Sequence, residues 1–536
     1  MFPDYITSLL AKDMYSHDVH EVILEQTHLS YVLLAGDFVY KIKKIVDFPF
    51  VQQSELSQRY HFCTQEVEQN KRLAEEVYIK VVKIVRNQAG KYEIAENEVS
   101  AGSEIVEYAV KMRRLKVDDN LENIIMENAL PEDIAERIVN CLIPFHQNAE
   151  IFSEGLDAGG FHAESEWCNE ELSQQTQHIN KTLKPKSAQI INKYMHESLL
   201  KFKKIFDLRY LQNKIIFGHG DLQIKHFYLD SFHDNSLLIV DCIEFSTDFH
   251  FKYVDRGYDL AFLTMGLDFH NQSILADEIC GLYIASAGDK YLSLLHNYHK
   301  FLRALIRGKV EGIAANSDSI DAYTKKKNKL NSEIFFELAE KYTLKDNSPI
   351  ICSIGGLSGS GKSVIAGVIA SRIGAVYLSS DVIRKELFKI PLYEHLENDR
   401  SSDIYNYEAN ISVYNELRKQ ATEFVNQGFS VIIDAAHLLY HERQETITMM
   451  KSLSIDSCFL WIESSSDLIE QRINKRMNSK YYISDADINI YNNQLDYIED
   501  IQNNENIITV SNTKSIQKVI ADLPKISEVL RDRLVY

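Results

Sequence analysis

The chain has 536 residues, too many for one ordinary hydrophobic core, so two or more domains are expected. Its 45% apolar and 25% charged content is that of a globular protein, and 77 acidic against 58 basic residues, a formal charge of −19, disfavour a general nucleic-acid or anionic-membrane binder. Seven scattered cysteines with no C-x-x-C argue against a disulfide framework or a zinc site. With no signal-like N-terminus and no apolar run of membrane length, the expected setting is the cytoplasm and the expected chemistry is on small molecules.

In chain order, Ile6, Leu9, Leu10 and Met14 follow helical spacing and predict a short amphipathic helix within residues 1–25. Two β-rich runs, Tyr31-Val32-Leu33-Leu34 and Phe38-Val39-Tyr40-Lys41-Ile42, flank Ala35-Gly36-Asp37 and predict a hairpin. A polar helix from an N-cap at Ser54 to Leu73 carries Glu66. Strands over 77–85 and 107–112 and a largely helical region to about residue 210 follow.

Next comes Ile216-Phe217-Gly218-His219-Gly220-Asp221, and then the apolar run Leu237-Leu238-Ile239-Val240-Asp241. A strand, an H-x-D loop and a second strand ending in Asp form the layout of a protein-kinase-like catalytic centre. There the first carboxylate orients and deprotonates an acceptor hydroxyl and the second holds Mg2+ on the phosphates, which makes Asp221 and Asp241 candidates. Taken singly, each Asp at a strand end is more often a turn residue or helix cap. Their combination with an upstream lysine strand and glutamate helix carries the reading.

The pattern from 291 to 345 is helical, with Lys325, Lys326, Lys327 and Lys329 read as a solvated helix face. The polar turn Asp346-Asn347-Ser348-Pro349 sets the expected boundary, dividing the chain into 1–345 and 346–536. Directly after it, Ile350-Ile351-Cys352-Ser353-Ile354 leads into Gly356-Leu357-Ser358-Gly359-Ser360-Gly361-Lys362-Ser363, a G-x-x-x-x-G-K-[ST] loop between strand and helix. The glycines let backbone N–H groups form an anion nest, the helix N-terminus adds partial positive charge, Lys362 supplies a cation for the β- and γ-phosphates, and Ser363 offers a hydroxyl to Mg2+. Strands over 375–378, 431–434, 457–462 and 507–510, separated by helices, predict a parallel sheet covered on both faces. Ser363, Asp381 and Asp434 then converge at the strands' carboxyl ends, with Asp434 where a second Mg2+-binding acid belongs.

The stretches VYKIKK (39–44), HFCTQEVEQNKRLA (61–74), EYAVKMRRL (107–115), HGDLQIKHFYL (219–229), IVDCIEF (239–245) and YDLAFL (258–263) resemble the aminoglycoside-phosphotransferase-like half of fused bacterial proteins whose second half is a small P-loop kinase. The resemblance implies that Lys41 binds phosphate and Glu66 is its ion-pair partner, with Asp221 the catalytic base and Asp241 a metal ligand. Lys43 lies on the same strand face as Lys41, which leaves the lysine open between the two. One position departs from the pattern: His226 stands five residues after Asp221, where kinases carry the Asn that binds a second metal, which leaves this half open between one metal, a transition metal held by His226 and a catalytically weak binding domain. In the second half, the D-x-x-R of Asp381 and Arg384 resembles the acceptor motif of polynucleotide-kinase-like and zeta-toxin-like P-loop kinases. It implies that Asp381 takes the hydroxyl proton and Arg384 grips the substrate; a helix cap with a surface Arg is the plainer reading. Arg472 and Arg476, at i and i+4, resemble lid arginines that close over the transferring phosphoryl group, and an ordinary solvated face competes with that reading.

The expected protein is therefore an ATP- and Mg2+-dependent phosphotransferase acting on a hydroxyl of a small molecule: a kinase-like α+β domain followed by an α/β P-loop domain. An ATPase switch and a polynucleotide-kinase-like enzyme are the alternatives. No glutamate follows Asp434 to activate water, since Ala435, Ala436 and His437 come next, and this counts against a motor.

Overall fold

The computed structural model describes residues 2–48, 51–245, 250–317, 321–343, 348–395, 404–477, 481–513 and 515–534. The chain forms two compact units: residues 1–131, 148–153 and 215–255, and residues 132–147, 154–214 and 256–536. No helix among the described residues is long and apolar enough to cross a membrane.

The first unit is built on an antiparallel six-stranded sheet in the order Val22–Gln26, Ser30–Ala35, Phe38–Lys43, Glu104–Arg113, Tyr78–Arg86, Tyr92–Ala95. The expected hairpin is present, with Ala35 paired to Phe38 across the two-residue turn Gly36-Asp37. Period-two alternation buries Leu33, Ala35, Tyr40 and Ile42 in one cluster with Ile6 and Leu9. The N-terminal helix is shorter than its apolar spacing suggests. It ends at Leu9, whose carbonyl accepts the Tyr15 hydroxyl at 2.7 Å, and Ala11 turns extended. The glutamate helix runs Leu56–Ala74 with Glu55, not Ser54, as its cap; the Glu55 N–H donates to Gln58 Oε1 at 3.2 Å. Strand Ile215–Phe217 leads to the H-x-D loop, and a hairpin of Phe227–Asp230 with Ser236–Ile239 follows. This is the expected kinase-like α+β arrangement.

The second unit joins helices to a parallel sheet in the order Val376–Ser379, Val431–Asp434, Ile350–Gly355, Asp456–Glu463, Ile508–Ser511, the expected P-loop fold. The P-loop helix Lys362–Ile373 packs on helix Ser273–Ala287, where Gly281 meets Gly367 so closely that a Cβ on Gly367 would stand 2.7 Å from the Gly281 carbonyl oxygen. Arg372 at the end of that helix forms a buried ion pair with Asp277, 2.8 Å from its Nε. Asn297 Nδ2 donates to the Ser371 and Arg372 carbonyls at 2.9 and 3.1 Å, satisfying groups a helix end leaves open. Compactness thus groups these helices with the P-loop sheet. Of the expected boundary turn, Asp346 and Asn347 lie outside the described residues. In helix Ala322–Thr343, Lys326, Lys327 and Lys329 are exposed and Lys325 is half-buried.

Candidate functional site

In the first unit the two lysines of strand Phe38–Lys43 both point at Glu66, as period two requires, but they do different work. Lys41 Nζ lies 2.7 Å from Glu66 Oε1 and 2.8 Å from Asp241 Oδ1. Lys43, only 2% exposed, places its Nζ 2.6 Å from Glu66 Oε2 and against Glu244. Lys41 therefore bridges Glu66 and Asp241, and Lys43 is a buried tie between the helix and the segment after Asp241. Burial opposes the charge on Lys41, but Asp241 and Glu66 outweigh it and hold its pKa well above the ordinary lysine value. Burial likewise works against the Asp241 carboxylate, and Lys41 reverses this, holding it far below the ordinary range.

Asp241 does not end a strand. It sits two residues past Ile239 with φ +68°, a left-handed backbone uncommon outside glycine. Two long-range hydrogen bonds fix it there: the Tyr78 hydroxyl accepts from the Asp241 N–H at 3.1 Å, and Asn70 Oδ1 accepts from the Cys242 N–H at 2.8 Å. Asp221 is half-buried, with both carboxylate oxygens 2.8 Å from Gln223 Nε2. His226 is buried; its Nδ1 lies 2.8 Å from the Asp221 carbonyl oxygen and its Nε2 3.5 Å from Asp241 Oδ2. Lys41, Glu66, Asp221, Asp241 and His226 are thus brought together.

In the second unit the P-loop follows strand Ile350–Gly355, as its sequence context requires. Gly361, φ +91°, caps the helix where a Cβ would lie 2.4 Å from Asn512 Nδ2. Lys362 and Ser363 are half-buried in the first turn. Asp434, at the end of the neighbouring strand, accepts the Tyr377 hydroxyl on Oδ2 at 2.6 Å, while its enclosed Oδ1 has no hydrogen-bond partner. Burial pushes the Asp434 carboxyl above its usual range against the pull of Lys362. An unpartnered buried oxygen beside a serine hydroxyl is a hard, all-oxygen donor set that fits Mg2+.

Asp381 stands half-buried in the first turn of helix Ser380–Leu387, directly after strand Val376–Ser379. Arg384 is buried, its guanidinium 4.5 Å from the centre of the Tyr405 ring and bonded to the Ile404 carbonyl. The two arginines of helix Ser466–Met477 part company. Arg472 Nη1 donates to the Ser360 carbonyl at 3.0 Å and to Ser464 Oγ at 3.2 Å, bracing the P-loop itself. Arg476 donates to the Ala486 carbonyl and lies within the electrostatic reach of Asp381.

Sequence reasoning missed Glu244, Asn70, Tyr78 and Tyr377. Glu244 carried a signal, an acid three residues after Asp241. The hydroxyls and the amide carried none, because their partners lie far away in the chain. His437, which sequence reasoning noted only for not being a glutamate, places its Nε2 2.9 Å from Ser353 Oγ, and burial lowers its pKa to about 3.

An AAA domain family matches residues 351–501. Rv2004c of Mycobacterium tuberculosis and Mb2027c of Mycobacterium bovis are each 26% identical over 412 residues, 77% of this chain and 77% of theirs. Among solved structures, a sugar kinase from Janibacter sp. HTCC2649 is similar at 18% identity and a TM-score of 0.25, covering 35% of this chain and 99% of its own. A gluconokinase from Sinorhizobium meliloti 1021 gives 18% and 0.24 over 34% of this chain and 97% of its own. The GDP complex of aminoglycoside 2'-phosphotransferase-IIIa gives 15% and 0.38 over 63% and 97%.

Proposed function

We propose that the chain is an ATP-dependent phosphotransferase that moves the γ-phosphoryl group to a hydroxyl of a small molecule, with residues 346–536 as the transferring half. The observation that carries this is the convergence of Lys362, Ser363, Asp381 and Asp434 at the carboxyl ends of three adjacent parallel strands. Residues 1–345 are proposed to hold a second nucleotide through Lys41, anchored by Glu66, with Asp241 toward the phosphates.

In the transferring half the loop amides and Lys362 cradle the phosphates and neutralise charge as it shifts toward the leaving oxygen. Ser363 and Asp434 would hold Mg2+, which would supply positive charge against the phosphates. Tyr377 fixes the Asp434 carboxylate through Oδ2 and leaves Oδ1 free for that purpose. Asp381 accepts the proton of the attacking hydroxyl, Arg384 orients the acceptor, and Arg476 adds positive charge near the same carboxylate. Arg472 keeps the loop in its phosphate-ready shape rather than reaching the substrate. A hydrolytic switch is disfavoured because His437, near where a water-activating acid would stand, is buried against Ser353.

The test is ADP release measured with panels of sugars, nucleosides and aminoglycosides. Release that rises with one class of hydroxyl compound supports the reading, and release indifferent to every acceptor points to an ATPase.

A further inference from the structure

The first unit pairs two donors that Mg2+ chemistry does not call for. His226 Nδ1 lies 2.8 Å from the Asp221 carbonyl oxygen, which only accepts, so Nδ1 carries the proton. In the neutral ring Nε2 then presents a lone pair, and it faces Asp241 Oδ2 at 3.5 Å. Lys41 Nζ takes the other oxygen of the same carboxylate at 2.8 Å. The gap at His226 is shorter than twice a metal–ligand bond of about 2.1 Å, so one ion reaches both atoms.

The surroundings hold both donors in place. The His226 carbonyl accepts the Val240 N–H at 3.0 Å, which ties the loop to the segment carrying Asp241. The His226 ring lies nearly parallel to that of His219, with centroids 5.9 Å apart. His219 is itself oriented, its Nε2 3.0 Å from the Val240 carbonyl oxygen and its Nδ1 accepting from the Asp221 N–H at 3.3 Å. An imidazole whose Nδ1–H is committed to a backbone carbonyl and whose Nε2 faces a carboxylate is oriented as metal-binding histidines are.

We infer that His226 Nε2 and Asp241 Oδ2 form a divalent-cation site that takes an ion accepting nitrogen, such as Mn2+, in preference to Mg2+. Asn at this position would offer a hard oxygen; imidazole offers a borderline nitrogen, for which Mg2+ has little use and first-row transition ions have more. Water and nucleotide phosphate oxygens complete the ion's coordination. The inference rests on the proposal that the first unit holds a nucleotide, and it sets the two halves apart by metal: an all-oxygen site at Ser363 and Asp434, and a nitrogen-containing one at His226.

The test is electron spin-echo spectroscopy of Mn2+ bound to the full chain with a non-hydrolysable ATP analogue, with metal and nucleotide stoichiometry measured on the same sample. A directly bound nitrogen is expected in the wild type and none in His226→Asn, whose preference for Mn2+ over Mg2+ should fall about tenfold. The wild-type spectrum decides the matter even if the variant is unstable, because His437, near the P-loop site, is buried with its Nε2 on Ser353 Oγ. Two nucleotides bound with oxygen-only Mn2+ would overturn the metal assignment and leave the nucleotide reading standing. One nucleotide with oxygen-only Mn2+ would overturn both.

Discussion

The two proposed phosphate sites would solve one electrostatic problem by opposite means. The P-loop site is local: loop, lysine and serine are consecutive, and the tightest constraint is steric, at Gly361 against Asn512. The kinase-like site is assembled from four separated segments, and its lysine must be held by carboxylates in the absence of phosphate. Glu66 divides its two oxygens between Lys41 and Lys43, and Lys43 is shared in turn with Glu244. A site made of neighbours is legible in a string of letters, whereas one made by tertiary ties must be seen in the fold.

The largest effect should come from breaking the local site. Lys362→Ala is expected to lower acceptor-dependent ADP release by about 10⁴-fold, the scale of losing a cation from a transferring phosphoryl group. Lys41→Ala should leave most of that release intact. Equal losses in the two variants would mean that the halves do not divide the work as proposed.

Next is the seat of the P-loop helix. Arg372→Ala strands Asp277 as a buried, unpaired carboxylate and should cost about 3 kcal/mol in urea unfolding of the full chain. By the same packing, a fragment of residues 346–536 exposes the Gly367 face and should be far less stable than the intact protein. A fragment as stable as the whole would restore the division at 345 as a division between folding units.

The assembled site is sharpened by Glu244→Gln in a Lys362→Ala background. Loosening Lys43 lets Glu66 drift from Lys41, so nucleotide affinity at the remaining site should drop about tenfold, close to the weight of one charged hydrogen bond. Calorimetric titration reads this directly, and an unchanged affinity would make Lys43 a structural tie only.

The effect that is smallest at neutral pH is a pH slope. Burial lowers the His437 pKa to about 3, below its ordinary 6.5. Between these values the unfolded chain carries a proton that the folded chain excludes, so stability falls as pH drops from 6.5 toward 3. The loss is about 1.4 kcal/mol per pH unit for one full proton, and His437 adds no slope above 6.5. His437→Gln should flatten that part of the unfolding profile, and an identical slope in the variant would assign it to other groups.

Much of this was readable in advance where spacing is short. The hairpin at Gly36-Asp37, the five parallel strands and the P-loop all follow from period, punctuation and motif. The helix at the N-terminus overran its real end because apolar spacing does not register the Tyr15 hydroxyl that closes Leu9. The left-handed Asp241 was invisible because Tyr78 and Asn70, which hold it, lie 163 and 172 positions from their partners. Arg472 and Arg476 share a helix face and yet differ, since Arg472 meets Ser360, 112 positions away, while Arg476 meets Ala486 in the loop that follows its helix.

The measurement that tests the central claim most directly is nucleotide stoichiometry by calorimetry, with a non-hydrolysable ATP analogue and divalent metal, on the wild type and on Lys362→Ala. The account predicts two sites falling to one. A single site that vanishes in the variant would contradict it and leave the kinase-like half without a nucleotide.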